Sequence, residues 1–244
     1  MTSPVAFSGI LAKDMKNYYL KPPNISWGII FPLAWMLMML IKSGAGFDIS
    51  EVFPGIVAIS VLFGTTSMLA VTITFERRSR SFERLLLAPI RTELLILAKI
   101  TGAILFGIFN GVIPVLISVL YFRAYVADWL SLAGGVFLLS LISALLGLFI
   151  SVSAKEVFEA QTYSNFFRFP MIFLCGLFIP ISGLPVYIRP LSYILPVTYA
   201  VDFLRYSISG TNAFPVALDV ILLVAFSFTL FYFSMYNIKK KWIL

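Results

Sequence analysis

The sequence predicts an all-α polytopic membrane protein. It is expected to have six transmembrane helices, an N-terminal interfacial amphipathic helix, and re-entrant extracellular helices between spans five and six. Three observations carry this reading. The 244 residues are 60% hydrophobic and 12% charged, with a mean hydropathy of +0.99. Such a chain has too little polar surface to cover itself in water, so its solvent is lipid. Apolar runs recur at about 20 residues, the length that a bilayer core of about 30 Å demands. Lysines and arginines gather on one side of those runs.

Residues 5–21 come first. Phe7, Ile10, Leu11, Met15 and Tyr18 recur at helical spacing, with Lys13, Lys16 and Asn17 on the other side. This is the pattern of a helix lying in the inner membrane interface, as a surface anchor or a partner contact. Pro22 and Pro23 end it.

The spans follow in order. The first runs near Ile25–Ile41 and is read as uncleaved, because a long polar lead precedes it and SGAG after Lys42 is a weak cleavage site. The second runs near Val52–Phe75, the third near Leu94–Phe122 and the fourth near Leu130–Ala154. The fifth is Phe166–Ile181 and the sixth Ala217–Tyr236. The third exceeds one bilayer thickness, so it tilts or projects. The fifth is short, carries Arg168 near its start, and is bracketed by Pro170 and Pro180. No soluble domain fits, so residues 1–244 read as one transmembrane domain.

Charge fixes the orientation. With both termini cytoplasmic, 14 of the 18 basic residues face inward, and Lys42, Arg123, Arg189 and Arg205 face outward. The net charge of +7 therefore reflects basic loops beside an anionic plasma-membrane leaflet and implies no nucleic acid.

Much chemistry is excluded. There is no histidine, hence no histidine base and no HExxH metal site. The single cysteine, Cys175, forms no intrachain disulfide and reads as an apolar filler. Neither a GxSxG elbow nor a GxxxxGK[ST] phosphate loop occurs, so no catalytic, metal or cofactor residue is assigned.

Residues 76–89 are the densest charged block. Read as a helix, Arg77, Arg80 and Arg84 share one face, Phe82, Leu85 and Leu86 share another, and Glu76 pairs with Arg80 at i, i+4. Pro89 ends it. Periodicity supports equally a positive-inside loop and a helix that rests on the membrane domain while meeting a soluble protein. Residues 178–209 are too proline-rich for one span and too apolar for a free loop. Two short helices dipping into the outer leaflet, covered by protein, satisfy both facts.

Both segments resemble type-2 ATP-binding-cassette exporter permeases, a group that includes the daunorubicin-resistance permeases. Ser81, Phe82, Glu83, Arg84, Leu85, Leu86 and Pro89 match that family's cytoplasmic coupling segment. Arg80 stands where glycine is usual and Arg78 where an acid is common, which predicts a more regular and more basic helix. Pro180, Ser182, Leu184, Pro185, Arg189, Pro190, Leu191, Pro196, Thr198, Tyr199, Asp202 and Arg205 follow the family's run between spans five and six. Leu195 replaces a usual polar residue.

The resemblance implies an ATPase-coupling set of Glu76, Arg77, Arg80, Phe82, Glu83, Arg84, Leu85, Leu86 and Pro89. It implies an outer gate of Pro180, Pro185, Arg189, Pro190, Pro196, Tyr199, Asp202 and Arg205. A separate ATP-binding-cassette ATPase would carry ATP and Mg. A second permease copy, identical or not, would complete the pathway for a drug, a lipid or a lipid-linked glycan. The contrasting readings are an ion-coupled secondary transporter and a non-transporting regulatory subunit. The former needs mid-membrane carboxylates, which the spans as drawn lack.

Small residues mark close helix approaches. Ala103, Gly107 and Gly111 lie four apart, as do Ser143, Gly147 and Ser151. Such stripes serve packing within one subunit or between two. Asn110, one turn before Pro114, is expected to be helix-to-helix glue. Glu156 and Glu159 read as a second cytoplasmic contact or as interfacial charges.

Overall fold

In this computed structural model the structure describes residues 3–21, 30, 32–38, 41 and 49–243. Among them the chain is all-helical, with no strand. Helix α1 spans Ser3–Asp14 and continues as a π turn over Met15–Tyr19. Helix α2 spans Ile49–Arg78, α3 Ser81–Leu86, α4 Thr92–Leu120 and α5 Trp129–Ser153. Helix α6 spans Val157–Leu174, α7 Arg189–Ile194, α8 Pro196–Ser209 and α9 Val216–Ile238.

Among the described residues, four helices are long and apolar enough to cross a membrane: Val52–Arg78, Thr92–Leu120, Trp129–Ser153 and Val216–Trp242. They coincide with the expected second, third, fourth and sixth spans. The expected first span, Ile25–Ile41, lies largely outside the described residues. The fifth differs. Its helix, α6, starts at Val157 rather than Phe166 and stops at Leu174. Gln161, Thr162, Asn165 and Arg168 make it too polar to count as a span by composition. It ends because Gly176 takes φ 78, a left-handed conformation that glycine tolerates.

Helix α2 is the centre of the molecule. It packs against α4, α5, α6 and α8, and Phe53, Ile56, Val57, Ile59 and Leu62 are buried. Helix α9 is the opposite case, with Ile221, Phe228, Tyr232 and Phe233 exposed. In lipid an apolar residue gains little by leaving the solvent, so packing depends on close fit and polar contacts. Gly107 of α4 shows this. A β-carbon there would collide with the hydroxyls of Thr65 on α2 and Ser140 on α5. At Gly147 a β-carbon would lie 2.5 Å from the Thr66 carbonyl oxygen. Both glycine stripes thus pack within the chain.

Pro114 interrupts the backbone ladder of α4, because it has no N–H to offer the carbonyl of Asn110. The Ser60 hydroxyl of α2 donates to that carbonyl at 2.8 Å. The Asn110 side chain lies against Gly64 of α2, but its hydrogen bond stays within its own helix. Its amide donates to the Phe106 carbonyl of its own helix at 2.8 Å.

Candidate functional site

The charged block at residues 76–89 folds as two helices and a sharp corner, not as one regular helix. Arg80 adopts φ 55 and ψ 13, the left-handed conformation. The family's usual glycine at this place has a physical reason: the chain turns here, and glycine turns without a β-carbon penalty. Arginine carries that conformation instead, supported by Ser79 and Ser81. Their hydroxyls donate to the Glu76 carbonyl at 3.2 and 3.1 Å. The break removes the single arginine face expected over Arg77, Arg80 and Arg84.

The coupling set separates into buried and exposed members. Phe82 is buried, its ring 5.2 Å from that of Trp242 in an edge-to-face contact. The Arg77 guanidinium sits 4.2 Å over the same indole and donates to the Ser151 and Ala154 carbonyls, each at 3.3 Å. Leu85 and Leu86 pack part-buried against the same core. Arg80, Glu83, Arg84 and Pro89 are exposed, and Leu87 is 86% exposed. Arg78 pairs with Glu156 at 2.7 Å on the surface, which joins the block to the α5–α6 turn. In that turn Glu159 accepts from the Lys155 amide at 2.7 Å.

Glu76 does not pair with Arg80. It is buried, and it meets Lys13 at 2.6 Å and Lys99 at 2.5 Å. Asp14, also buried, meets the same two lysines at 3.1 and 2.9 Å. Lys13 therefore turns inward, away from the polar face expected of it. Burial pulls its pKa down. The hydrogen bond to Glu76 and the charges of Asp14 and Glu76 outweigh this and leave it above the ordinary value. Sequence reading missed Asp14. The signal was its register: Ala6, Ile10 and Asp14 recur every four residues on the buried face of α1.

Residues 178–209 form a series of short pieces held by side-chain hydrogen bonds to the backbone. A 3-10 turn covers Ile181–Gly183, and α7 and α8 follow, hinged at an extended Leu195. Arg189 donates to the Leu184 and Ser182 carbonyls at 2.8 and 2.5 Å. Thr198 donates to the Ser192 carbonyl at 2.5 Å and Tyr199 to the Tyr193 carbonyl at 2.7 Å, so α8 holds α7. Arg205 donates to the Gly176 carbonyl at 2.8 Å. Asp202 is buried, and it accepts from the Ala213 and Phe214 amides at 2.9 Å. Pro180, Pro185 and Pro190 are exposed, while Pro196 is buried at the start of α8. A cavity of about 220 Å³ opens beside Gly176, Pro180, Thr198, Asp202 and Arg205.

The family model described as ABC-2 type transporter matches residues 5–209. The chain is 27% identical over 230 residues to the inner membrane transport permease YadH of Escherichia coli K12, covering 91% of this chain and 90% of that protein. The YadH protein of Shigella flexneri shows the same identity and coverage. The chain is 23% identical over 156 residues to the probable multidrug ABC transporter permease YbhR of Escherichia coli K12. That match covers 63% of this chain and 42% of the relative.

Proposed function

This chain belongs to the ABC-2 type transporter family, and we propose that it works as an exporter permease driven by a separate ATPase. It is a multi-pass membrane permease subunit, with the inner membrane YadH proteins among its relatives. In the proposal both termini face the cytoplasm. Two permease copies, identical or not, flank the pathway, and ATP with Mg is bound only by the partner. The cargo is hydrophobic or amphipathic: a drug, a lipid or a lipid-linked glycan. The multidrug description of YbhR supports that class.

One observation carries the coupling role. Helix α3 is anchored on one side through Phe82 and Trp242 and offers Glu83 and Arg84 on the other, with Leu87 exposed just past its end. An element so held takes a push from below and passes it into α2 and α4, which it joins. The outer segment is the proposed exit gate, made of short pieces whose hinge at Leu195 lets α7 move against a buried α8. To test the reading, the chain is expressed together with a candidate ATP-binding-cassette ATPase, and ATPase recovery is measured on the purified permease. Wild type recovers the ATPase, while Glu83→Ala and Leu87→Asp lose it at unchanged permease levels. Unchanged recovery in both variants rejects α3 as the docking element.

A further inference from the structure

We propose that Lys13, Asp14, Lys99 and Glu76 form a transmission ring. In this reading they are positioning residues that fasten the N-terminal helix to the two spans flanking α3, so that the three move together. The inference rests on the exporter-permease reading above.

The four contacts close on themselves. Lys13 meets Asp14 at 3.1 Å, Asp14 meets Lys99 at 2.9 Å, Lys99 meets Glu76 at 2.5 Å, and Glu76 meets Lys13 at 2.6 Å. Charges alternate around the ring and sum to zero. The side chains of Asp14, Glu76 and Lys99 are at most 1% exposed, and that of Lys13 is 33% exposed. The members come from α1, from the end of α2, and from the second turn of α4. Lys13 and Glu76 are 63 residues apart along the chain, and Asp14 and Lys99 are 85 apart.

Such a ring is a poor device for stability. Four buried charges lose their hydration, and well-packed apolar residues of similar size often hold as well or better. What the ring supplies is register. Apolar faces in lipid slide past one another at little cost, whereas displacing one member of a closed ring strands a buried charge. Glu76 is also where the ring meets the corner into α3. Its carboxylate faces the lysines, and its carbonyl accepts the hydroxyls of Ser79 and Ser81. A displacement of α3 therefore reaches α1 and α4 through one residue.

The test uses the full permease purified with its ATPase. Cys175 is replaced by Ala and exposed Ser182 by Cys in the outer segment, as the parent. Labelling by an impermeant maleimide is compared with and without ATP plus vanadate. In the parent the labelling rate changes about fivefold or more, the lower end of usual coupling strengths. Asp14→Asn with Lys99→Met removes one charge of each sign. This pair keeps ATPase recovery and loses the labelling change. Lys99→Arg keeps both. Lys13→Gln with Asp14→Asn breaks the ring from its exposed side and decides the matter if the first pair does not accumulate.

A nucleotide-dependent change retained in either pair overturns the ring's role and leaves the permease reading intact. So does loss of ATPase recovery in the pairs, or a parent that recovers its ATPase without any labelling change. Failure of both pairs to accumulate while Lys99→Arg does also overturns it, since the ring is then a folding element alone. A parent that recovers no ATPase overturns the permease reading as well.

Discussion

The Ser60 hydroxyl on α2 supplies the hydrogen bond that Pro114 denies to Asn110 on α4, across 2.8 Å. A carbonyl orphaned inside the membrane finds no water, so a neighbouring helix must serve it. Ser60→Ala should cost about 1–3 kcal/mol, the usual penalty of an unpaired buried acceptor. In a Pro114→Ala background, where the backbone N–H returns, the same change should cost clearly less. Thermal unfolding of the four proteins in detergent measures the cycle. Equal costs in both backgrounds would contradict the pairing.

Phe82 and Trp242 should behave as a pair. Phe82→Ala removes a buried ring and should destabilise by about 3–5 kcal/mol. A double-mutant cycle with Trp242→Ala should show coupling of about 0.5–1.5 kcal/mol, the range for edge-to-face aromatic pairs. Glu83→Ala should leave the unfolding midpoint unchanged, because its side chain is exposed. A large midpoint shift in Glu83→Ala would mean that α3 has no free face.

The Lys13 pairing has a defined pH window. Its pKa is raised on folding, so the stabilisation is fully present below the ordinary lysine value of 10.5 and is lost only as pH rises through the higher folded value. A fluorophore on Ser8→Cys of α1, in a Cys175→Ala background, should show constant anisotropy from about pH 6 to about pH 9. Release of α1 within that interval is the outcome that would falsify the assignment.

Asp202 staples the loop before α9. Asp202→Ala leaves the Ala213 and Phe214 amides without their acceptor. Hydrogen bonds to a charged group are worth about 1.5–3 kcal/mol, so amide exchange at these two positions should accelerate by about tenfold or more. Exchange at core amides of α2 should not change. Uniform acceleration along the chain would instead mean global destabilisation.

Much of this protein was legible in the sequence, and each legible part was local or compositional. Apolar runs placed α2, α4, α5 and α9, since lipid demands a set length of apolar helix whatever its neighbours. The motifs carried the family assignment and the position of α3. The fifth span was misread because its run of apolar residues hid where the helix starts. The helix begins at Val157, upstream of the polar Gln161 and Thr162, which it carries on an exposed face.

The tertiary structure alone decided which partner each polar group takes. By sequence Glu76 faced Arg80, four residues away. In the fold it faces Lys13 and Lys99, because the chain turns at Arg80 and the helix that would have aligned the nearer pair ends at Arg78. The sequence likewise made Lys13 a surface charge and left Asp14 unnoticed, while packing α1 against α4 buries both carboxylates of the ring. Helical periodicity assigns a residue to a face, but what that face meets depends on chain segments 63 or more residues away. In a low-dielectric interior a charge takes the opposite charge that the fold brings within reach, wherever it lies in the chain.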